Sequence, residues 1–153
     1  MHDEPDSLDK IVHIIKSFGF NNSDIVTEVT EGESLNEIKL GEGIKKLISL
    51  GFNTAMDDFG DGQSDINRFN TLKPNIVKVS RQLYLDNIEN NPSHLISLID
   101  YFHKSEAKVV VEGIEDESHV EILKSMGVDY FQGFFFHKPT LVEIKNTIQV
   151  VPK

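Results

Sequence analysis

The chain of 153 residues contains no cysteine. Disulfide bonds and thiolate chemistry are therefore excluded, and nothing points to an oxidising compartment. No apolar run approaches the roughly 20 residues that a membrane helix needs, so the sequence predicts no membrane span. The first six residues are acidic and polar and do not resemble a secretory signal, which makes the cytoplasm the default location.

Positive charge is scarce, with 15 Lys+Arg against 25 Asp+Glu and a net charge of −10. Such a chain repels nucleic acid backbones and anionic lipid, so a nucleic acid polymer is not an expected partner. A phosphate-bearing ligand would need metal cations or a local basic group. Histidine does not supply a metal site, because the six histidines are scattered without the spacing typical of metal ligands.

Helical and strand-like periods alternate along the chain. Segments rich in β-branched or aromatic residues predict strands at 25–30, 52–57, 76–79, 108–111 and 130–136, with Phe134 to Phe136 in the core. Segments with helical periodicity lie between them, a final helix is predicted after Thr140, and 60–72 is predicted as a loop with a helical turn. This order predicts an α/β fold with about five parallel strands. Residues 1–6 are predicted to be a disordered tail and 7–153 a single domain.

Charged residues recur at the carboxyl ends of these apolar strands. They are Glu28, Asp57, Asp58, Lys78 and Glu112. Each alone has an ordinary explanation, such as an edge-strand charge, turn chemistry or a lysine that reaches solvent. Because a buried unpaired charge costs several kcal/mol or more, their recurrence at equivalent positions predicts one shared site. The two adjacent aspartates nominally point to opposite faces, which a strand end tolerates if one of them turns into the loop.

A cluster of carboxylates and a lysine suggests phosphoryl chemistry. Oxygen-only ligand sets suit Mg²⁺ or Mn²⁺. Two such ions about 3.5–4 Å apart activate water and stabilise the oxygens of a phosphodiester displacement. A neighbouring lysine can hold the attacking water or offset negative charge.

Taken together, five segments in order resemble the motifs of the EAL domain family, the bacterial domains that hydrolyse cyclic di-GMP. The family's motifs are E-x-T-E, D-D-F-G, K-I-D, E-G-V-E and D-Y-x-Q-G-Y. The matching segments are Glu28-Val29-Thr30-Glu31, Asp57-Asp58-Phe59-Gly60, Lys78-Val79-Ser80, Glu112-Gly113-Ile114-Glu115 and Asp129-Tyr130-Phe131-Gln132-Gly133-Phe134. The resemblance extends from about residue 8 to 149.

The resemblance implies a metal site for Mg²⁺ or Mn²⁺. Glu28 and Asp57 resemble ligands of a first ion, and Asp58 resembles a ligand of a second. Glu112 is similar to a glutamate that serves the family as a metal ligand or general base.

The resemblance also implies the remaining roles. Lys78 would orient the hydrolytic water, Glu31 would hold the loop after D-D-F-G, and Gln132 would line the same pocket. The implied ligand is cyclic di-GMP, and the implied reaction opens it to the linear dinucleotide.

The sequence departs from the family at several positions. The strand that bears E-x-L and a later strand with a ligand asparagine are lacking, which implies an incomplete (β/α)₈ barrel of the TIM type, because a full barrel takes about 250 residues. Ser80 replaces the acidic residue of K-I-D. Gln63 and Asp65 replace an aromatic residue and a serine in the loop after D-D-F-G.

These departures leave three functions open. The first is a truncated EAL-type domain that does not hydrolyse cyclic di-GMP alone and acts as a binding or interaction module. The second is a metal-dependent phosphodiesterase completed by another chain or by a missing N-terminal half. The third is a remnant with only a folding role. Because the open side of the barrel exposes strand edges and apolar surface, self-association or a protein partner that covers it is expected.

Overall fold

The computed structural model describes residues 7–30, 37–60 and 65–140. Its strands are β1 (Val26–Val29), β2 (Asn53–Phe59), β3 (Ile76–Val79), β4 (Lys108–Val111) and β5 (Tyr130–Phe131). Its α-helices are α1 (Ser7–Ser17), α2 (Glu37–Ser49), α3 (Asp65–Leu72), α4 (Arg81–Ile88), α5 (Pro92–Lys104) and α6 (Glu117–Ser125), with a short 3₁₀ helix at Asn22–Asp24. Strands and helices therefore alternate, as predicted.

The five strands form one parallel sheet in the order β1-β2-β3-β4-β5. Valines at alternate positions of the central strands are fully buried on the face that the helices cover: Val77, Val79, Val109 and Val111. Burial of a sheet face under crossover helices explains why these strands are rich in valine and isoleucine. Because all strands run the same way, their carboxyl ends lie at one edge of the sheet.

Aromatic rings fill the centre of the core between the sheet and the helices. The ring of Phe102, on α5, lies 4.9 Å from that of Phe59 and 5.0 Å from that of Phe69, both in edge-on arrangements. Edge-to-face packing is favourable beyond the burial of area alone. This packing fixes α5 and α3 against the end of β2, the strand that carries the candidate site residues Asp57 and Asp58.

The sheet does not close, so the prediction of an incomplete (β/α)₈ barrel with about five parallel strands is confirmed. Among the described strands, β1 and β5 each have a neighbour on one side only. None of the helices in the described ranges combines the length and the apolar character needed to cross a membrane.

Two helices differ from the prediction. Residues 65–72, predicted as part of a loop with only a helical turn, form the eight-residue helix α3, and α4 is not predicted from the sequence. The apolar residues of α4 do not follow a strong stripe, which explains why its period was hidden. Its start is set by Ser80, whose Oγ accepts a hydrogen bond from the Leu83 amide at 3.2 Å.

The end of the last strand also differs from the prediction. Pairing stops at Phe131, and Phe134, Phe135 and Phe136 are 57%, 40% and 50% exposed, so their assignment to the core is wrong. The physical reason lies at Gly133, where an added Cβ would be 2.1 Å from the carbonyl oxygen of Ile114. This close approach turns the chain away from the sheet. The predicted tail at 1–6 and the final helix after Thr140 lie outside the described residues.

Candidate metal centre

The strand register places the candidate residues of the central strands on one face. Residues paired across parallel strands point the same way, as do residues two apart on one strand. Lys78 pairs with Val110, and Val110 pairs with Tyr130. Glu112 and Gln132 come two residues after these partners, so both share the face of Lys78.

The same register brings in the first two strands. Glu28 pairs with Ala55, and Ala55 pairs with Ile76, which lies two residues before Lys78. Glu28 therefore shares the face of Lys78, and so does Asp57, two residues after Ala55. This face is opposite to the buried valines that pack against the helices.

A β-bulge brings the second aspartate to the same side. Met56 pairs with Val77 and Phe59 with Val79, so β2 holds one extra residue between two core-facing side chains. Asp58, within this bulge, has a φ of 54°. Aspartate tolerates this left-handed conformation better than most residues. The bulge thus allows both aspartates to point away from the core, which strict alternation does not.

The carboxylates of this site meet Lys78, whose side chain is only 10% exposed. Its Nζ lies 2.7 Å from Asp57 Oδ1, 2.9 Å from Glu112 Oε1 and 3.1 Å from Glu28 Oε1. One ammonium group therefore contacts three carboxylates, two of them on β1 and β2 and the third directly after β4. We call Glu28, Asp57, Asp58, Lys78 and Glu112 the acidic centre.

Burial and charge act against each other in the acidic centre. Burial favours the neutral amine of Lys78, but hydrogen bonds to the three carboxylates outweigh it and raise its pKa above the usual range. Burial also raises the pKa of Glu112, the hydrogen bond from Lys78 opposes this, and the nearby charges of the two aspartates add to the rise. The ammonium group is thus held firmly, whereas Glu112 carries its negative charge at a cost.

The donor set of the acidic centre fits a hard divalent cation. Asp57, Asp58 and Glu112 each offer an oxygen, and these oxygens all lie within 4.8 Å of one another. Carboxylate oxygens are the ligands that Mg²⁺, Mn²⁺ and Ca²⁺ prefer. An ion bound here would share Asp57 and Glu112 with Lys78, so the ammonium group competes with it.

A cavity of about 550 Å³ opens beside the acidic centre. Its wall includes Asp58, Ser80, Arg81, Glu112, Glu115 and Gln132. Gln132 lies on this wall and not among the ion pairs of Lys78. Ser80 does not replace the missing acid of K-I-D with another charge; it is buried and caps α4.

Sequence reasoning missed Arg81 as a residue of this cavity. Its Nη2 lies 2.8 Å from Glu115 Oε2, and both side chains are about half exposed. A signal was present, since Arg81 follows Lys78 by three residues and begins the helix after β3. Glu31, predicted to hold a loop, lies outside the described residues, as does Gln63.

The family model described as the EAL domain matches residues 1–139. The chain belongs to the EAL domain family. This EAL chain is 28% identical over 154 residues to the probable cyclic di-GMP phosphodiesterase PdeG of Escherichia coli K12, an alignment that covers 97% of this chain and 30% of PdeG.

Solved structures agree with this assignment. A standalone EAL protein from Vibrio cholerae O395 in its c-di-GMP-bound form matches with a TM-score of 0.81 and 29% identity, over 90% of the EAL chain and 60% of that protein. Klebsiella pneumoniae BlrP1, in a manganese and cy-diGMP complex, matches with a TM-score of 0.76 and 26% identity, over 88% of the EAL chain and 35% of BlrP1. The EAL chain thus spans only part of each relative.

Proposed function

We propose that this chain binds cyclic di-GMP together with a divalent cation, and that by itself it is a binding or interaction module that does not hydrolyse the nucleotide. The observation that carries the proposal is the acidic centre with its clustered oxygens beside the cavity. Relatives with the same fold are named as cyclic di-GMP phosphodiesterases or have been solved with this nucleotide. A phosphate-bearing ligand of an acidic chain needs such a cation site.

Asp57, Asp58 and Glu112 are the residues that would hold the cation, with Glu28 at the margin of the set. The bound ion would supply positive charge for a phosphodiester oxygen and polarise the phosphorus centre. The same carboxylates would keep the ion at the side of the cavity. The side chain of Gln132 lines this cavity and can donate a hydrogen bond to a ligand or accept one from it.

Two features favour binding without turnover. Glu28 lies on β1, which is the outermost described strand, and its side chain is 47% exposed, so water reaches this side of the acidic centre. Electrostatic stabilisation of a transition state is weaker in such a wet site. In addition, the ammonium of Lys78 is already hydrogen-bonded to three carboxylates and would have to leave some of them to act on a phosphate.

Calorimetric titration with cyclic di-GMP in the presence of Ca²⁺, which limits hydrolysis, tests the proposal. Saturable binding in the micromolar range, about −8 kcal/mol, is expected for the wild-type chain. Asp58→Asn should weaken it at least about tenfold, because the bulge keeps its conformation while one ligand charge is lost. Asp129→Asn, the same change at the residue that directly precedes β5, is the matched control. Absence of binding at high ligand concentration would refute the proposal.

The second candidate function is metal-dependent phosphodiesterase activity. It is favoured by the raised pKa of Glu112, because a carboxylate that is costly to keep charged is suited to accept a proton. Turnover of cyclic di-GMP by the purified chain with Mn²⁺, abolished by Glu112→Gln, would establish this function and overturn the first proposal. Turnover that appears only when a second EAL segment is added would show that the chain needs completion.

Self-association supports either function. Several large apolar side chains on and near the outer strand are exposed: Ile11, Ile14, Phe18, Phe20 and Val26. One edge of β1 pairs with no other described strand, and such an edge next to an apolar surface favours pairing with another strand. A second copy of this chain carries the same edge. Sedimentation should show dimers at high micromolar concentration, and Phe18→Glu should reduce them. A strictly monomeric wild-type chain would contradict this prediction.

A further inference from the structure

The turn between β4 and α6 carries Glu112 into the acidic centre. Gly113 follows it with a φ of +69°, a left-handed conformation that glycine adopts without strain. The amide of Ile114 donates to the carbonyl oxygen of Gln132 at 3.0 Å, which ties the turn to the segment after β5. The position of the Glu112 carboxylate therefore depends on how firmly this turn is held.

Arg81 holds the turn from the side of α4. Its Nε donates to the carbonyl oxygen of Gly113 at 3.3 Å, and its Nη2 donates to Glu115 at 2.8 Å. The aliphatic part of the side chain lies against Gly113, where an added Cβ would be 2.6 Å from Arg81 Cδ. Tyr84, one turn further along α4, donates from its hydroxyl to the same carbonyl at 3.3 Å. Two donors of one helix thus converge on the residue next to Glu112.

The segment that leads from β3 into α4 carries both Arg81 and Lys78, the lysine that pairs with Glu112. Lys78 is the penultimate residue of β3, and α4 begins at Arg81, three residues later. Lys78 reaches the Glu112 carboxylate at 2.9 Å while Arg81 reaches the adjacent peptide group. Two basic residues from the junction between β3 and α4 therefore contact the turn, Lys78 at the Glu112 carboxylate and Arg81 at the Gly113 carbonyl.

We propose that Arg81 is a positioning residue, which fixes the turn at Gly113 and thereby sets the Glu112 carboxylate against Lys78 and beside the two aspartates. Its importance for cation binding rests on the function proposed above. The contact with the Gly113 carbonyl is the essential one, because the half-exposed ion pair with Glu115 contributes little by itself.

A double-mutant cycle tests the role without any ligand. The coupling of Lys78 and Glu112 is measured from urea unfolding of Lys78→Met, Glu112→Gln and the double variant, in the wild-type and Arg81→Met backgrounds. We expect a coupling of about tenfold in the unfolding equilibrium constant in the wild-type background and below about threefold in the Arg81→Met background. A purely structural arginine would lower the stability of all four chains equally and leave the coupling unchanged, which would overturn the proposal.

A second measurement uses Mn²⁺ as the probe. Arg81→Met should bind Mn²⁺ about tenfold more weakly than wild type, an effect of the size seen for residues that orient ligands. Lys108→Met, which also removes one positive charge but at the amino end of β4, should bind it as wild type does. Equal affinity of wild type and Arg81→Met overturns the role even if a member of the cycle does not fold. A wild-type chain that binds no Mn²⁺ overturns the proposed function, and the coupling then decides on Arg81.

Discussion

The carboxyl ends and the amino ends of the strands, which we call the carboxyl edge and the amino edge of the sheet, hold charged centres of opposite kinds. At the carboxyl edge, one ammonium group faces three carboxylates in the acidic centre. At the amino edge, one carboxylate faces three donors: Asp129 lies 2.8 Å from His103 Nε2, 2.8 Å from Lys108 Nζ and 2.9 Å from the amide of Val109. We call this second group the Asp129 centre.

The contrast separates a structural site from a candidate functional one. Burial tends to raise the pKa of Asp129, but the hydrogen bonds from Lys108, the Val109 amide and His103 outweigh it and lower the pKa. Burial raises the pKa of Glu112, and there the single lysine does not outweigh it. The charge of Asp129 is therefore compensated by its three donors, whereas the carboxylates of the acidic centre carry more negative charge than Lys78 compensates and can bind a cation.

The largest effect is expected when Lys78, the positively charged side chain of the acidic centre, is replaced. Lys78→Met should lower the free energy of unfolding by about 3 kcal/mol at pH 7, because it leaves partly buried carboxylates uncompensated. Without Lys78, the hydrogen bond and the positive charge that oppose the rise in the pKa of Glu112 are lost. The cost of its charge is greatest above that pKa and disappears as the pH falls through it, so the loss should shrink towards acid pH. Urea unfolding at pH 7 and pH 5 measures this, and a loss independent of pH would contradict it.

A divalent cation should distinguish the two centres almost as strongly. Mn²⁺ at 100 times its Kd should stabilise the wild-type chain by about 2.7 kcal/mol. Asp58→Asn, with an affinity about tenfold lower, should keep only about 1.4 kcal/mol of this gain at the same Mn²⁺ concentration, and Asp129→Asn should keep all of it. Urea unfolding with and without Mn²⁺ gives the comparison, and an equal gain in both variants would show that the ion binds elsewhere.

A smaller effect is expected at the amino edge. Asp129→Asn should cost about 1–2 kcal/mol at pH 7, the usual cost of weakened partly buried hydrogen bonds. Because the folded pKa of Asp129 is lowered, its contribution is present above the ordinary aspartate pKa and is lost as the pH falls through the lowered value. The difference from wild type, followed by urea unfolding from pH 7 to pH 3, should therefore shrink once the pH falls below the ordinary aspartate pKa. A difference that stays constant below that ordinary pKa would contradict this account.

The smallest effect is expected at Lys108, whose side chain is 58% exposed although it also pairs with a carboxylate. Lys108→Met makes the same chemical change as Lys78→Met, but water screens the exposed charge and the other donors of Asp129 remain. Its unfolding free energy should match wild type within error. A loss as large as that of Lys78→Met would show that burial does not separate the two lysines.

The sequence predicted the acidic centre through period and position. Lys78 and Glu112 follow buried valines, and parallel strands bring such strand ends together, so their meeting required no knowledge of distances. The bulge at Asp58 was beyond this reasoning, because an extra residue in a strand changes the alternation without a clear mark in the residue types.

Other features were missed because their signals were weak or depend on tertiary contacts. The weak stripe of α4 hid the helix that places Arg81, although Ser80 offered a cap. The Asp129 centre joins residues at the amino ends of two neighbouring strands, β4 and β5, which parallel pairing brings together in the same way as the carboxyl ends. The exposure of Phe134 to Phe136 follows from the crossing of Gly133 and Ile114, which is a contact between distant segments.

The close approach of Gly133 to Ile114 also limits which codons the gene can carry at position 133. Because an added Cβ at Gly133 would meet backbone atoms of Ile114 at 2.1 and 2.2 Å, no flexible side chain can move aside to make room for it. In a library in which each codon is randomised, position 133 should tolerate almost no replacement when cells are sorted only for the amount of folded protein. The neighbouring codon for Phe134, whose ring is exposed, should accept many under the same sorting.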